Sequence, residues 1–150
     1  MGTHYKGNRE EVRALDTFIK LVRATNSVTT RVDRVLQSNG LTVGQFGVLE
    51  ALLHLGALHQ CELAQKLLNT GGNVTMIIDN LEKRNLVRRE RSVEDRRFIR
   101  VHLTEEGQEL IGNIFPEHAR AITEEVSILS AKEQEELGRL CRKLGKRETT

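Results

Sequence analysis

The stretch TGGNVTMIIDNLEKRNLVRRERSVEDRRFIRVHLTEEG, Thr70 to Gly107, decides the fold. From Thr70 to Arg84 the apolar residues Val74, Ile77, Ile78 and Leu81 recur at the three-and-four spacing of a helix with one buried stripe. The start of that segment is different. Thr70, Gly71, Gly72, Asn73 and Thr75 are small or polar, and Met76 is the long apolar exception. Thr70 is an N-cap by residue type, and Asn85 tolerates the left-handed conformation that often closes a helix. Val87 to Arg91 and Phe98 to Leu103 then alternate like strands, with Phe98, Arg100 and His102 opposed to Ile99, Val101 and Leu103. Val93-Glu94-Asp95-Arg96-Arg97 joins them as a basic turn. A helix that opens on small polar groups, followed by an arginine-tipped hairpin, suits a DNA duplex. The helix can enter the major groove while the hairpin tip reaches the neighbouring minor groove.

Outward from this centre the pattern is helical on both sides. Residues 1–8 are polar and read as a frayed end. From about 9 to 38, Val12, Leu15, Phe18, Ile19, Val22, Val32, Val35 and Leu36 keep a helical spacing, weakened near Asn26 to Thr30, and Asn39-Gly40 is a stop. Thr42 and Gln45 form a capping box ahead of Phe46, Val48, Leu49, Leu52 and Leu53, and Gly56 ends that helix. A short helix carries Leu63, Ala64, Leu67 and Leu68. After the hairpin, Thr104 caps a helix with the stripe Leu110, Ile111, Ile114, Phe115, Ile122, Val126 and Leu129. Pro116 lies inside it and is expected to kink or break it. Ser130 and Glu133 open a last helix with Leu137, Leu140, Cys141 and Leu144.

The expected fold is therefore mainly α with a small β-hairpin wing: a winged helix-turn-helix at about 42–104, flanked by helices at about 9–38 and 105–145, all in one domain spanning 1–150. The terminal stripes are longer than so small a central unit can cover. A homodimer would cover them, since twofold dimers are the commonest oligomers, and would present two reading helices to one palindromic site.

The net charge is +2, so the whole chain is no polycation. From Lys83 to Arg100, however, eight basic residues face three acidic ones, leaving +5 in a local stripe of the kind phosphate contact requires. A solvated surface is the plain alternative. With four Phe, one Tyr and no Trp, the chain lacks the aromatic faces used to stack single strands. Cys61 and Cys141 match no zinc spacing, and His54, His59 and His102 are scattered, so neither metal nor cofactor is expected. The chain shows no signal peptide and no membrane-length apolar run, which favours the cytoplasm. No catalytic constellation is visible, and no enzyme activity is expected.

Several runs now carry a resemblance. They are Glu62-Leu63-Ala64-Gln65-Lys66-Leu67, Gly72-Asn73-Val74-Thr75, Ile78 through Val87, Glu94-Asp95-Arg96-Arg97, and Leu103-Thr104-Glu105-Glu106-Gly107. In order and spacing the chain resembles the MarR family of bacterial transcriptional regulators over about residues 10–145. The resemblance implies a triangular dimer built on the terminal helices, with one winged helix per subunit on an operator, usually as a repressor. In many members a small phenolic or other aromatic acid, a quinone or an oxidant relieves repression.

Candidate DNA contacts are Thr70, Gly71, Gly72, Asn73, Thr75 and Met76 at the helix start. Free N–H groups and small side chains allow close approach there. Asn73 suits an adenine edge and Thr75 a thymine methyl or a phosphate, whereas Thr70 serves chiefly as a cap. Met76 stands where many family members place a longer polar residue. In the wing, the family pattern uses the acid, here Asp95, to hold an arginine. Arg97 is assigned to the minor groove and Arg96 to a phosphate or a neighbouring acid. Cys61 falls in the first turn of a helix, where a thiol can be activated, but both cysteines read better as small buried residues. The oxidant-sensing members carry their cysteine in the first helix, where this chain has none. For an effector, Arg23, Arg31 and His54 are candidates to pair with a carboxylate or phenolate. A winged-helix protein–protein module without DNA binding is the alternative reading.

Overall fold

A computed structural model describes residues 2–67 and 73–146. Helix α1 spans Arg9–Ser38 without interruption. Asn8 caps it through a reciprocal box with Glu11. The polar Asn26 to Thr30 segment does not break it, because the hydroxyls of Thr25, Thr29 and Thr30 donate to the carbonyls of Leu21, Thr25 and Asn26 in the preceding turn. Helix α2 spans Val43–Leu55, opened by the Thr42–Gln45 box and closed by Gly56, whose φ of 76° needs a residue without a side chain. Then follow β1 (Leu58–His59), α3 (Gln60–Lys66), α4 (Val74–Lys83), β2 (Val87–Arg91), β3 (Ile99–Leu103), α5 (Glu105–Val126) and α6 (Ala131–Gly145). The fold is thus mainly helical with a small wing, a winged helix-turn-helix between terminal helices.

Four expectations are corrected. Helix α4 starts at Val74, capped by Asn73, and not at Thr70. Asn73 supplies the cap because its side chain reaches the N–H of Thr75 at 3.0 Å. Thr70, Gly71 and Gly72, with Leu68, lie outside the described residues. Helix α5 continues through Pro116. Its two sides pack on α1 and α2, which holds the backbone in register around the one missing N–H. The wing sheet has a third strand, giving the antiparallel order β1-β3-β2, with Leu58 opposite Val101 and Arg89 opposite Val101 on the other side. Cys61 and Cys141 are both exposed. Cys61 faces out because Leu63 takes the inward position of the short α3.

One core joins these elements. Leu49, Leu63, Ile78, Leu81, Val101, Ile111 and Ile114 are fully buried in it, and α1 adds Leu36 near its C-terminal end. Thr104 locks the junction between wing and α5. Its hydroxyl donates to the Asn85 carbonyl at 2.6 Å and accepts from Gly107 N–H at 3.0 Å. At Gly107 a Cβ would collide with the Leu86 carbonyl, so only glycine lets α5 start so close to β2. Asn85 takes the positive φ, 57°, that turns the chain from α4 into β2.

The terminal helices leave part of their apolar stripes uncovered. Leu15, Phe18 and Val22 of α1, Ile122 of α5 and Leu137, Leu140 and Leu144 of α6 are exposed, and α6 buries no residue. Among the described residues no helix is long and apolar enough to cross a membrane.

Candidate nucleic-acid interface

The start of α4 and the wing meet on one side of the molecule. Asn73, Thr75, Arg97 and Phe98 line a single open cleft of about 470 Å³, with Gln60 and Cys61 of α3 at its floor. Asn73 turns its carbonyl oxygen inward as the α4 cap. The Thr75 hydroxyl accepts from the Gln60 amide at 3.0 Å. Met76 is 61% exposed and projects from the same turn. A helix start with unsatisfied N–H groups carries a partial positive charge that favours an anion.

At the wing tip Asp95 holds Arg97 in a bidentate pair, with NH2 to Oδ2 at 2.6 Å and Nε to Oδ1 at 3.0 Å. Asp95 Oδ1 also accepts from the Arg97 backbone N–H at 3.0 Å. The Arg97 side-chain hydrogen bonds hold the Asp95 carboxyl below the usual carboxylate range, and the same pair raises the guanidinium. Yet 85% of the Arg97 side chain is exposed. The cation is therefore aimed, not hidden. The turn itself is tied by Arg91, which donates to the Arg96 carbonyl at 2.7 Å, and by Ser92 N–H to the Phe98 carbonyl at 2.9 Å.

The basic stripe is less available than its composition suggests. Arg84 donates to the Gly40 carbonyl at 2.8 Å, and Arg88 pairs with Glu90 at 3.2 Å. Arg89 is drawn inward onto Asp79 at 2.6 Å, Glu82 and Gln60. Lys83, Arg96 and Arg100 keep no side-chain partner among the described residues. On the outer face of the wing, His102 sits near Glu90. Burial, then the charge of Arg88, depresses its pKa, against a smaller opposing pull from Glu90.

A second open cleft, about 500 Å³ and mostly apolar, lies between α1, α2 and α5. His54 lines it, as do Phe46, Glu50 and His118. The His118 ring lies 4.4 Å from Phe46, and the His54 ring meets Phe115 edge-on at 4.5 Å. Arg31 does not line this cleft. It bridges to Glu125 at 2.6 Å and to the Ser27 hydroxyl, tying α1 to α5. Arg23 is not among the lining residues either. Sequence reasoning passed over Gln60 and His118, whose positions follow only from how α3 and α5 pack. No cluster of three or more metal-ligating side chains occurs among the described residues.

A helix-turn-helix whose second helix shares one cleft with an arginine-tipped wing is the arrangement of a winged-helix regulator, and comparison with known proteins narrows the class. A family model described as the MarR family matches residues 39–97. The HTH-type transcriptional regulator MhqR of Bacillus subtilis (strain 168) is 35% identical over 133 residues, 89% of this chain and 92% of the relative. Sco3205, a MarR family transcriptional regulator from Streptomyces coelicolor solved in complex with DNA, shares the fold with a TM-score of 0.78, at 24% identity over 95% of this chain and 90% of that one. NadR, solved in complex with 4-hydroxyphenylacetate, superposes with a TM-score of 0.71 at 26% identity over 99% of this chain and all of that one. The chain belongs to the MarR family of transcriptional regulators.

Proposed function

We propose that this protein is a homodimeric repressor that binds a palindromic operator in double-stranded DNA. The observation that carries the proposal is the shared cleft, in which Asn73 and Thr75 at the start of α4 stand beside an exposed, pre-aimed Arg97. Helix α4 enters the major groove with Asn73, Thr75 and Met76, with Thr70, Gly71 and Gly72 just ahead of it. Asp95 and Arg97 carry the wing into the minor groove, and Arg96 meets a phosphate. The winged unit at about 42–104 and the dimerisation helices at about 9–38 and 105–145 work as one domain over 1–150. The exposed apolar stripes of α1, α5 and α6 support the dimer.

A small aromatic or phenolic effector, seated in the α1–α2–α5 cleft beside His54, relieves binding by changing how the dimer helices hold the winged units; oxidative stress is the other trigger in this reading. NadR, crystallised with a phenolic acid, supports the ligand class. Arg31 is committed to Glu125, so it reaches such a ligand only after that pair opens. The exposure of Cys61 in the α4–wing cleft supports that second trigger. The protein acts by binding rather than by catalysis, without a cofactor, in the cytoplasm where its DNA target lies.

Selection of bound sequences from a random duplex library tests the proposal. The expected product is an inverted repeat with half-sites about one helical turn apart, bound with an affinity that falls steeply with salt through counterion release. A library that yields no enriched sequence, or binding indifferent to salt, overturns it in favour of a protein–protein module.

A further inference from the structure

We propose that Arg89 and Gln60 hold the Thr75 hydroxyl with its hydrogen free toward the duplex, so that the start of α4 favours an acceptor at that point. The inference rests on the DNA-binding reading above and adds to it a polarity. Arg89 reaches from β2 across to α3 and α4 with only 19% of its side chain exposed. Its guanidinium is anchored several times over. NH1 pairs with Asp79 at 2.6 Å and Glu82 at 3.3 Å, NH2 donates to the Thr75 carbonyl at 3.2 Å, and its backbone N–H donates to Glu82 at 3.0 Å. Such a side chain is not free to meet a phosphate.

The Arg89 Nε–H meets Gln60 Oε1 at 3.2 Å. A guanidinium has donors and no acceptor, so the Gln60 atom that faces it must be the oxygen. The amide orientation is thereby settled, and the Gln60 NH2 turns to α4, where it donates to Thr75 Oγ at 3.0 Å. A hydroxyl that accepts one bond from within keeps its own hydrogen, and one lone pair, for partners outside. Thr75 is exposed, and that hydrogen finds no acceptor among the described residues. Asn73 follows the same rule. Its oxygen is turned in to the Thr75 N–H, which leaves its NH2 as the outward end. The first turn of α4 therefore offers two donors two residues apart.

Donors match the O6 and N7 of guanine, N7 of adenine, O4 of thymine or a phosphate oxygen. N4 of cytosine and N6 of adenine offer these donors no acceptor and are left with the one remaining lone pair of Thr75 Oγ. Arg89 and Gln60 touch no base in this scheme. They are positioning residues, and they set which chemical groups Thr75 accepts as partners.

The test uses the full chain and its selected operator. Binding is titrated against duplexes with single-base changes, with 7-deazapurines that lack one acceptor, and with methylphosphonates at single phosphates. Thr75→Val keeps the shape and removes the hydroxyl. It is expected to weaken binding about three- to ten-fold, the worth of one hydrogen bond. It should also abolish the sensitivity to one modified position, a deazapurine if Thr75 reads a base and a methylphosphonate if it holds the backbone. Gln60→Glu retains an acceptor for Arg89 but has no N–H to give, so the Thr75 hydrogen turns inward. That change should reverse the base preference at the same position, or for a backbone contact lose the same factor. Its added negative charge weakens binding generally, and the same substitution in the Thr75→Val background measures that charge effect alone. The relay predicts a larger Gln60→Glu effect when Thr75 is present. Equal effects in both backgrounds, or a Thr75→Val chain that matches wild type on every modified duplex, overturn the relay and leave DNA binding intact. A wild-type chain that enriches no duplex removes both.

Discussion

The arginines of the wing differ in what they are free to do. Arg97 is held by Asp95 yet exposed, so its rotamer entropy is largely spent before DNA arrives and less is lost on insertion. Arg97→Ala should cost about 1–3 kcal/mol of operator affinity and leave the thermal midpoint unchanged, measured by gel-shift titration beside a melting curve. Equal affinity for mutant and wild type would refute the wing assignment. Asp95→Asn should act in the same direction, since it loosens the pair without removing the cation. The pair also sets a pH dependence. The folded carboxyl titrates below its ordinary value, so the tip gains stability that is present above the unfolded pKa and lost as pH falls through the folded one. Carbon-detected titration of Asp95 should show it ionised below the normal range, and Arg97→Ala should move it part of the way back, since the backbone N–H at that position still donates to Asp95 Oδ1. Asp95 and Arg97, two apart in a turn, were readable from the sequence. Gln60 was not, because its meaning comes from Arg89, which lies 29 residues away and looked like one more cation in a stripe.

Elements were legible where one strong local rule governed them. The capping boxes at Thr42 and Ser130 and the cap at Thr104 are all formed, since each depends on groups only three residues apart. Strand β1 escaped notice because two residues cannot show alternation, and its partner lies some forty residues on, at Val101. The α4 boundary was misplaced because Thr70 and Asn73 are both good caps, and residue type alone does not choose between them. Pro116 illustrates the reverse case, a local rule overridden by packing on both sides of α5. Gly107 shows how tightly one junction is set. Gly107→Ala forces a methyl against the Leu86 carbonyl, whose place is fixed by the β2–β3 hairpin and by the Thr104 N–H at 3.1 Å. The strain should cost about 1–3 kcal/mol, read as a lower denaturation midpoint with an unchanged denaturant slope. Gly112→Ala, in the same helix with open space around the new methyl, should leave stability equal or slightly higher. A Gly107 variant as stable as the Gly112 one would show that the junction relaxes freely.

At the scale of the whole molecule, the decisive quantity is how much apolar surface the terminal helices leave uncovered. Phe18 and Leu144 are each 62% exposed, and they belong to long stripes on α1 and α6 with no cover from this chain's own core. A monomer would leave these groups in water at a cost of about 25 cal/mol for each Å². A twofold dimer removes that cost and couples two reading units at one fixed spacing. Introducing charge on the stripes should therefore uncouple assembly from folding. Phe18→Glu combined with Leu140→Glu is expected to give a monomer by sedimentation, with helix content close to wild type, because the core around Leu49, Ile78 and Ile111 lies elsewhere. Operator affinity should fall by a factor on the order of 10² to 10⁴, the advantage lost when two half-site contacts no longer share one body. Affinity for a single half-site should change little, since Thr75 and Arg97 are untouched. A charged variant that still sediments as a dimer places the interface on another face. A monomer that binds the full operator as tightly as wild type removes the dimer from the mechanism of recognition.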